Sequence, residues 1–486
     1  MKLSELLNGY QTPADDSEID GLALDSRQLQ PGDVFIALNG ENSHGLAFYA
    51  EAKKNGARAI IYDPAGLGRE MAKTVSGLPC YPIENLSQHV GDIAARFYGY
   101  PSRKLSVIGV TGTNGKTSCS QFLAQLLPDC GVVGTLGWGR PEQLNNTLNT
   151  TPDAVSIQQI LAHFVEQGIR YVAMEVSSHG LAQGRVAGVE FGGALFTNLS
   201  RDHLDYHGLM TDYLAAKMTL LQRSELKFRV INRDDDYAQQ IFQQLQQPCN
   251  IWGFGHGLDD GAVQENIQIK NIECSLDGSH FELVWRGQAQ TVDSRITGLF
   301  NIENMAAVAT VLLALGWPLK AVAEQLKTLT PVAGRMETLG GKDKPTVVID
   351  YAHTPDALEQ LLANLKQQTK KLTVVFGCGG NRDQGKRPLM GKVASQWADC
   401  VIVTDDNPRF ETSEAIIADI VQGCVADKTQ VMPDRHTAIS YAIAQAVAGD
   451  CVVVAGKGHE QYQDIQGVKS AFSDQSVVRA VLARYS

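Results

Sequence analysis

The stretch from Ser106 to Thr117, with the sequence SVIGVTGTNGKT, constrains the fold of this chain more than any other. A short β-branched run is followed by a glycine-rich turn, and a helical pattern of apolar residues then runs from Cys119 to Leu127. A phosphate-binding loop requires this order, because freed backbone N–H groups and the positive end of a helix cradle phosphate oxygens. Lys116 would reach the terminal phosphates of a nucleotide, and the Thr117 hydroxyl would be placed to hold Mg²⁺.

The glycine spacing of this stretch differs from the strict phosphate-loop motif. The position five residues before Gly115 is Val110, and the nearest outer glycine, Gly109, lies one residue further out. An ordinary corner between a strand and a helix is therefore the alternative interpretation.

The length of the chain, 486 residues, exceeds what a single hydrophobic core supports. At about 150 residues per domain we expect three domains, with boundaries at 1–87, 88–330 and 331–486. The hydrophobic fraction of 44% is ordinary for a globular α/β protein.

Charge and cysteine content exclude several classes of partner. The formal net charge is -11, whereas nucleic acids and anionic membranes require a basic surface. The nine cysteines form no Cys-x-x-Cys pair, which argues against a disulfide framework or a zinc site and favours a reducing compartment. No run of about 18 apolar residues occurs, and the first residues are too weakly apolar for a signal peptide. We expect a soluble cytoplasmic protein with no nucleic-acid or membrane partner.

The first segment has the pattern of a small α/β unit. Val34–Leu38 and Ala59–Tyr62 are predicted to be buried strands. Polar groups at 25–27 and 41–44 lie at strand ends, where loops often carry contacts, but from spacing alone solvated turns are the favoured interpretation.

The middle segment continues with a helix and a strand. Thr151 is predicted to be an N-cap with Pro152 at the first helical position, and Gly168 ends the helix. The strand Tyr171–Val176 follows, and its Glu175 occupies a position where a core strand should be apolar. Either a cation lies beside this carboxylate, or Glu175 is a paired structural residue.

Several later groups in the middle segment are ambiguous from their spacing. Asp202, His203, Asp205 and His207 resemble a metal site but lack zinc spacing. Lys217 interrupts an apolar helix, and from its position alone a solvated side chain is favoured. A β-hairpin is predicted around Asp277-Gly278, and Asn301 and Asn304 either face a nucleotide or cap a helix.

The last segment alternates four short β-branched runs with helical stretches, which predicts a second doubly wound, largely parallel sheet. Polar clusters follow all four runs. Because the carboxyl ends of parallel strands share one sheet edge, these clusters are expected to face a single cleft. The runs are at 347–349, 372–376, 401–403 and 452–454, and the clusters are at 350–353, 377–383, 405–409 and 455–460.

A phosphate loop beside such a cleft is compatible with a kinase, an ATPase or an ATP-driven ligase. A resemblance distinguishes them, because motifs along nearly the whole chain, in the same order, resemble those of the Mur ligases, the ATP-dependent amide-forming enzymes of peptidoglycan precursor synthesis. Thr-Asn-Gly in the loop is also a family feature, which accounts for its spacing. The motifs are at 112–117, 175–179, 198–207, 213–217, 301–304, 334–337 and 350–353.

The resemblance implies an α/β protein of three domains: a small N-terminal α/β domain that binds a UDP-linked substrate, a central ATPase-like domain with a mostly parallel sheet, and a Rossmann-like C-terminal domain. It implies ATP as co-substrate and Mg²⁺ as cofactor, and we expect a monomer. The implied ATP-binding residues are Gly112, Thr113, Asn114, Gly115, Lys116, Thr117, Asn301, Arg335 and His353; the implied catalytic residues are Lys116, Glu175, His203 and Lys217.

The resemblance assigns Mg²⁺ to Thr117, Glu175, His203 and a Lys217 that carries a CO₂-derived carbamate. An ammonium with an ordinary pKa of about 10.4 would repel Mg²⁺, whereas its CO₂ adduct is a carboxylate ligand. The residues implied to bind UDP-N-acetylmuramoyl-L-alanyl-D-glutamate are Leu24, Ser26, Glu41, Asn42, Ser43, Asn149, Thr150, Thr151, Ser177, Gln183 and Arg185.

Within the family, the motifs at 24–27 and 406–409 resemble those of members that add meso-diaminopimelate. Arg409, helped by Arg382, would grip a carboxylate, while Asp406 and Glu460 would receive an ammonium group. Lysine as the added amino acid, or a non-catalytic nucleotide-binding relative, are the alternatives. The implied amino-acid-binding residues are Arg382, Asp406, Asn407, Pro408, Arg409, Gly456 and Glu460.

Overall fold

The structure, a computed structural model, describes residues 1–14, 16–40, 43–245, 250–257, 263 and 265–485. Its contacts divide the chain into two compact units. Unit 1 comprises residues 1–111, 123–194 and 216–227, and unit 2 comprises 112–122, 195–215 and 228–486. The α/β class predicted from the sequence is confirmed in both units. None of the described helices has the length and apolar character needed to cross a membrane.

The first part of unit 1 is a parallel sheet of four strands in sequential order, with the predicted strands as its two central members. Leu86, Val90 and Ile93 pack one face of a helix against this sheet. The strands are β1 (Leu22–Ala23), β2 (Val34–Ala37), β3 (Ala59–Tyr62) and β4 (Cys80–Pro82), and the helices are α1 (Leu3–Leu6), α2 (Tyr49–Lys54), α3 (Gly68–Ala72) and α4 (Leu86–Phe97).

The middle of the chain begins with the predicted strand, loop and helix. Within unit 1, β9 pairs in parallel with both β5 and β6, and β6, β7 and β8 form an antiparallel meander. The elements are β5 (Ser106–Thr111), α5 (Lys116–Leu126), β6 (Cys130–Gly134), β7 (Gly137–Arg140), β8 (Gln143–Asn145), α6 (Ala154–Glu166), β9 (Tyr171–Glu175), α7 (Ser178–Ala182), β10 (Gly193–Phe196), α8 (Leu204–His207) and α9 (Met210–Leu221).

The N-terminus of α6 differs from the prediction. Asp153, not Thr151, is the N-cap, and its Oδ1 accepts hydrogen bonds from Val155 N and Ser156 N. An aspartate satisfies two orphan amides of the first turn in this way. Thr151 is thereby free for a different contact.

Unit 2 continues with three parallel strands, followed by the predicted hairpin between β13 and β14 and a further antiparallel strand. These elements are β11 (Phe228–Asn232), α10 (Ala238–Gln244), β12 (Asn250–Gly255), β13 (Glu265–Ser275), β14 (Gly278–Trp285), β15 (Gln288–Ser294), α11 (Leu299–Ala314) and α12 (Leu319–Leu326).

The last part of unit 2 has a six-stranded sheet in the order β16-β17-β21-β18-β19-β20, in which only β16 runs antiparallel to its neighbour among these strands. All four predicted β-branched runs are strands of this sheet. The elements are β16 (Glu337–Gly340), β17 (Thr346–Asp350), α13 (Pro355–Lys366), β18 (Leu372–Phe376), α14 (Lys386–Trp397), β19 (Cys400–Val403), α15 (Ser413–Val421), β20 (Thr429–Val431), α16 (Arg435–Ala444), β21 (Cys451–Ala455), β22 (Tyr462–Ile465), β23 (Val468–Ala471) and α17 (Asp474–Leu482).

Candidate active site

The phosphate loop of unit 2 is held open by neighbouring backbone and amide groups. Thr113 N donates to Asn198 O and Asn114 N donates to Asn198 Oδ1, both at 2.8 Å. Gly115 has φ +84, and a Cβ there would lie 2.4 Å from Asn304 Oδ1. Glycine is therefore required at this position by both backbone conformation and close packing.

Two cationic side chains reach this loop. Lys116 Nζ donates to Gly112 O at 2.9 Å and to Thr113 O at 2.7 Å. Arg335 Nη2 donates to the Thr117 hydroxyl at 3.0 Å, and its guanidinium lies over the Tyr351 ring, 4.5 Å from the centroid. The structure thus brings together Lys116, Thr117 and Arg335, as an ATP-phosphate site requires.

The two predicted asparagines of α11 face the same loop. Asn301 Nδ2 donates to Thr297 O at 2.8 Å, and Asn304 Nδ2 donates to Asn301 Oδ1 at 3.3 Å. Cys119 Sγ, in the first turn of α5, contacts Asn304 Oδ1 at 3.4 Å. Asn301 thus makes a local cap-like bond and contacts Asn304, whereas Asn304 itself lies against Gly115 of the phosphate loop.

Asp202 contacts its neighbour His203 and two residues that are distant in the sequence of unit 2. Its Oδ1 accepts from Lys386 Nζ at 3.2 Å, while its Oδ2 lies 3.3 Å from His203 Nε2 and 3.5 Å from His353 Nε2. Burial by itself raises the pKa of this carboxyl, but Lys386 and the two histidines together hold the pKa well below its usual range. Two predicted site residues, His203 and His353, therefore share one buried carboxylate.

Glu175 and Lys217 belong to unit 1 and are both buried, with 0% and 1% of their surface exposed. Thr135 donates to Glu175 through its backbone N and its hydroxyl, each at 3.0 Å. The prediction of a solvated side chain for Lys217 is wrong, because α9 directs this side chain toward the protein interior. The signal that could have predicted this is the apolar sequence on every side of it.

The metal-site interpretation of the run from Asp202 to His207 is not supported. Nowhere in the described part of the chain do three or more His, Cys, Asp or Glu side chains form a group that could hold a metal ion. His203 instead has a left-handed backbone, with φ 56, and begins α8. A non-glycine residue in this conformation is uncommon and often occurs at functional sites.

A cleft in the first part of unit 1 is lined by three of the residues implied to bind the UDP-linked substrate: Leu24, Ser26 and Ser43. The Ser26 hydroxyl donates to Glu51 at 2.5 Å. His44 Nδ1 accepts from Leu46 N at 3.0 Å and its Nε2 donates to Asp63 O at 2.8 Å, which anchors the loop after Ser43. Glu41 and Asn42 lie outside the described residues.

The residues implied to bind the dipeptide form one hydrogen-bonded group in unit 1. The buried Thr151 hydroxyl donates to Glu175 O and accepts from Ser177 N, both at 2.9 Å. Arg185 donates to Thr151 O at 2.8 Å and to Gln183 Oε1. Thr150 and Thr135 share a hydroxyl contact of 3.0 Å, and Thr147 donates to Asn149 O. This group is thus joined to the strand end that carries Glu175.

The predicted amino-acid pocket of unit 2 contains a lysine that the sequence analysis did not identify. Lys457 is fully buried, and its Nζ donates to Glu460 at 2.8 Å and to Asn407 Oδ1 at 3.1 Å, and lies 3.9 Å from Asp406. Asn407 in turn donates to Glu460 at 2.9 Å. Glu460, predicted to receive a ligand ammonium, is therefore already shared with Lys457.

The two predicted arginines lie beside the glycines that follow β18. Arg409 Nη1 donates to Gly380 O at 2.8 Å, and Arg382 is exposed, with Nη1 donating to Asn381 O at 3.0 Å. The backbone of Pro408 contacts Gly380, and Gly456 leaves room for Asp406, since a Cβ there would lie 2.6 Å from Asp406 Oδ2.

A buried ion pair holds the strand ends that lead into this pocket. Arg435 and Asp474 are both fully buried and form two hydrogen bonds of 2.8 Å. Arg435 also donates to Asp405 O at 3.2 Å and to Ala455 O at 2.9 Å, the carbonyls directly before Asp406 and Gly456. The strand ends that carry the pocket are therefore fixed by one guanidinium, which a pattern search along the sequence does not detect.

Comparisons with known proteins give matches along nearly the whole chain. Residues 18–98 match the model described as Mur ligase family, catalytic domain; residues 110–312 match the Mur ligase middle domain; and residues 334–458 match the Mur ligase, glutamate ligase domain. Relatives named UDP-N-acetylmuramoyl-L-alanyl-D-glutamate--2,6-diaminopimelate ligase include one from Pseudomonas aeruginosa, 46% identical over 96% of this chain and 95% of its own length. Another, from Neisseria meningitidis serogroup B, is 45% identical over 95% of each chain.

Solved structures show the same fold along the whole chain. A structure of a UDP-N-acetylmuramoyl-L-alanyl-D-glutamate--2,6-diaminopimelate ligase has a TM-score of 0.69 and 36% identity, and covers 100% of this chain and 99% of its own. The MurF ligase from Thermotoga maritima in complex with ADP has a TM-score of 0.67 and 20% identity, with 96% of this chain and 98% of its own covered. The second likeness bears on the fold alone.

Proposed function

Because this chain belongs to the Mur ligase family, we propose that it is an ATP-dependent ligase that joins meso-diaminopimelate to UDP-N-acetylmuramoyl-L-alanyl-D-glutamate, forming ADP and phosphate. The observation that carries this proposal is the identity of 46% along nearly the whole chain to a relative with that name. It is supported by the phosphate loop with Lys116 and Arg335 and by the arginine-bearing segment at 406–409, which are proposed to form the two kinds of site that this reaction needs.

The chemistry follows from the poor reactivity of a carboxylate toward an amine. The glutamate side-chain carboxylate attacks the γ-phosphorus of ATP, ADP leaves, and an acyl phosphate forms. The amine of diaminopimelate then attacks the acyl carbon, phosphate leaves with the bonding electrons, and the amine loses a proton. Positioning and charge neutralisation dominate such phosphoryl transfers.

Three cationic or imidazole groups of unit 2 are proposed to perform this neutralisation. Lys116 and Arg335 already donate to oxygens of the loop at 2.7–3.0 Å, so phosphate oxygens can replace these acceptors with little movement. His353 is proposed to hold a phosphate oxygen from the other side. Asn301 and Asn304 border the same loop and are proposed to contact the nucleotide.

The residues proposed to hold Mg²⁺ are Thr117, Glu175, His203 and Lys217, and their donor chemistry fits in part. A hydroxyl and a buried carboxylate suit this cation, whereas an unmodified lysine ammonium does not. When bound, Mg²⁺ would supply charge neutralisation for the transferred phosphoryl group. A carbamate on Lys217 would convert the misfit into a third oxygen donor, and its near-complete burial would protect the adduct from water.

The amino-acid substrate is proposed to bind at the carboxyl edge of the six-stranded sheet. Arg409 and Arg382 would hold its second carboxylate, while Asp406 and Glu460 would receive its ammonium. Asn407, Pro408 and Gly456 are proposed to line the same pocket. Asn407 is 2% exposed and bonded to Lys457 and Glu460, so its contribution is to hold Glu460 in place.

The UDP-linked substrate is proposed to bind unit 1. Its uridine end would occupy the cleft at Leu24, Ser26 and Ser43, and its dipeptide would contact the group around Thr151 and Arg185. The three-domain division at 1–87, 88–330 and 331–486, a monomeric state and a cytoplasmic location are also proposals. The location is supported by the eight described cysteines, which form no disulfide with one another, as is typical of a reducing compartment.

A product assay tests the proposed reaction. Purified protein is incubated with ATP, Mg²⁺ and the UDP-muramoyl-dipeptide, together with either meso-diaminopimelate or L-lysine, and products are weighed by mass spectrometry. We expect the diaminopimelate tripeptide and stoichiometric ADP. A lysine product alone would reassign the substrate, and ATP binding without any amide would contradict the ligase function.

A further inference from the structure

Asp202 occupies a position that the proposed reaction does not by itself explain. It is 3% exposed and does not belong to any of the proposed substrate, nucleotide or metal sets. Its two oxygens nevertheless contact His203, His353 and Lys386, as described above. Burying an unpaired carboxylate costs free energy, so these contacts are needed to keep Asp202 ionised in the interior.

Asp202 restricts how each imidazole can present itself. His203 turns Nε2 toward Asp202, which leaves Nδ1 as the ring nitrogen facing elsewhere. The His203 ring also packs edge-on against Tyr213, with centroids 6.1 Å apart. A carboxylate on one ring nitrogen fixes both the tautomer and the orientation of a histidine that uses the other nitrogen for its function.

His353 is fixed from two sides. Its Nδ1 contacts Tyr351 O at 2.8 Å, and because a carbonyl can only accept, Nδ1 is the donor in this bond. Its Nε2 lies 3.5 Å from Asp202. The ring plane is thus determined by groups from two loops, and Nε2, whose 3.5 Å contact with Asp202 is the longer of the two, is the nitrogen that a phosphate oxygen could share.

Lys386 anchors the carboxylate itself. It is 6% exposed and is the first residue of α14, a helix end where a cation is unfavourable. Its partner Asp202 lies 184 residues away in the chain and compensates for this position. Removal of Lys386 would leave the carboxylate buried with only the two imidazoles.

From this geometry we infer that Asp202 is a positioning residue, which orients the His203 and His353 imidazoles for the transfer reaction and is itself held by Lys386. The inference rests on the proposed function for the roles of the two histidines. It assigns Asp202 and Lys386 no contact with the reacting atoms.

Two readouts separate positioning from simple structural support. The first is long-range ¹⁵N NMR of the imidazole nitrogens in protein free of ATP and Mg²⁺, with His203→Gln and His353→Gln used to assign the signals. The second is steady-state ADP release, which separates kcat from the KM values for ATP and diaminopimelate. Thermal denaturation of each variant shows whether it folds.

For Asp202→Asn we expect kcat to fall by about 10- to 100-fold, the range typical of residues that orient a ligating histidine. The KM for diaminopimelate should stay within about threefold, and the imidazole ¹⁵N signals of both histidines should change. Asp202→Glu keeps the charge but moves the carboxylate by one methylene, so it should also lose activity if orientation matters. Lys386→Met should lower kcat by a smaller factor than Asp202→Asn does, and Lys386→Arg should retain most of the wild-type kcat.

The inference is overturned if Asp202→Asn keeps the wild-type kcat, or if kcat falls while both imidazole signals are unchanged. If Asp202→Asn does not fold, the Lys386→Met and Lys386→Arg pair decides by the same two readouts. If the wild-type protein makes no amide product, the proposed function fails. The NMR arm, which needs no substrate, would still report whether Asp202 orients the histidines.

Discussion

Arg409 gives the sharpest test of substrate selection. Its backbone is fixed independently of its side chain, because Arg409 N donates to Asp464 O at 2.9 Å and Arg409 O accepts from Gln466 N at 2.7 Å. The side chain donates from Nη1 to Gly380 O at 2.8 Å, and the other N–H groups of the guanidinium are proposed to serve a ligand carboxylate. Arg409→Ala therefore removes the guanidinium while the loop keeps its backbone pairing.

The expected magnitude follows from one charge-assisted hydrogen bond, which contributes about 1.5–3 kcal/mol. Since 1.4 kcal/mol corresponds to a factor of about ten, kcat/KM for meso-diaminopimelate should fall by about 10- to 150-fold. Lysine lacks the second carboxylate, so its kcat/KM should change by less than about threefold or rise. The ratio of the two values should thus shift by about 10- to 100-fold toward lysine.

A competition assay with both amino acids, read by product mass, measures this ratio directly. Arg409 has φ 52, a backbone conformation that costs alanine free energy but that glycine adopts without strain. Arg409→Gly is therefore the matched control: it should give the same loss of discrimination without the backbone strain. Arg409→Lys keeps the charge but not the fork, and should be intermediate. Selectivity within about threefold of wild type in both Arg409→Ala and Arg409→Gly would refute the reasoning.

Three further predictions concern buried groups. Lys217→Ala should lower amide formation by at least about 100-fold, while binding of the UDP-linked substrate, measured by calorimetry, should be unchanged. The variant should also lack the ¹³C NMR signal of a carbamate that wild-type protein gives with ¹³CO₂. Near-normal turnover of the variant would contradict the carbamate hypothesis. Gly134→Ala would place a Cβ 2.1 Å from Glu175 Oε1 and should destabilise the protein by about 1–3 kcal/mol. Gly192→Ala is the control, because its Cβ would lie 3.5 Å from the nearest atom and should not destabilise the protein. Equal melting temperatures for the two variants would argue against the clash at Gly134. Burial raises the pKa of Asp235 from 3.8 to about 6, so the folded state binds the proton more tightly and loses stability as pH rises from about 4 to 6; urea unfolding should show a flatter pH dependence in Asp235→Asn, and an unchanged slope would refute this.

Patterns within one stretch of sequence predicted the local structure well. The strand, loop and helix around Lys116, the four β-branched runs and the hairpin at Asp277 all depend on neighbouring residues, and all are present in the structure. The N-cap of α6 was predicted two residues too early, because Thr151 and Asp153 are both good caps and only the tertiary contacts of Thr151 distinguish them.

Contacts between distant residues could not be predicted in this way. Lys386 and Lys457 are buried lysines in polar sequence surroundings, which ordinarily indicate a solvated side chain. Their partners Asp202 and Asn407, which are 184 and 50 residues away, are revealed only by the fold, and Asp202 lies in a run whose residue types, but not their spacing, resembled a metal site. Lys217 differs from these two lysines, because its neighbours on the helix are apolar. The residue type favoured a solvated side chain, whereas the apolar surroundings would have indicated burial.

Lys457 also changes how the proposed amino-acid pocket would discriminate between substrates. The sequence suggested an arginine pair opposite two carboxylates, a nearly balanced set of charges. With Lys457 bonded to Glu460 and 3.9 Å from Asp406, the set becomes three cations, Lys457, Arg382 and Arg409, against two anions. Such a pocket would favour a substrate that brings a second carboxylate and disfavour lysine, which carries two ammonium groups but only one carboxylate. Selection for diaminopimelate would therefore come from the charge balance of the pocket as well as from the fork of Arg409.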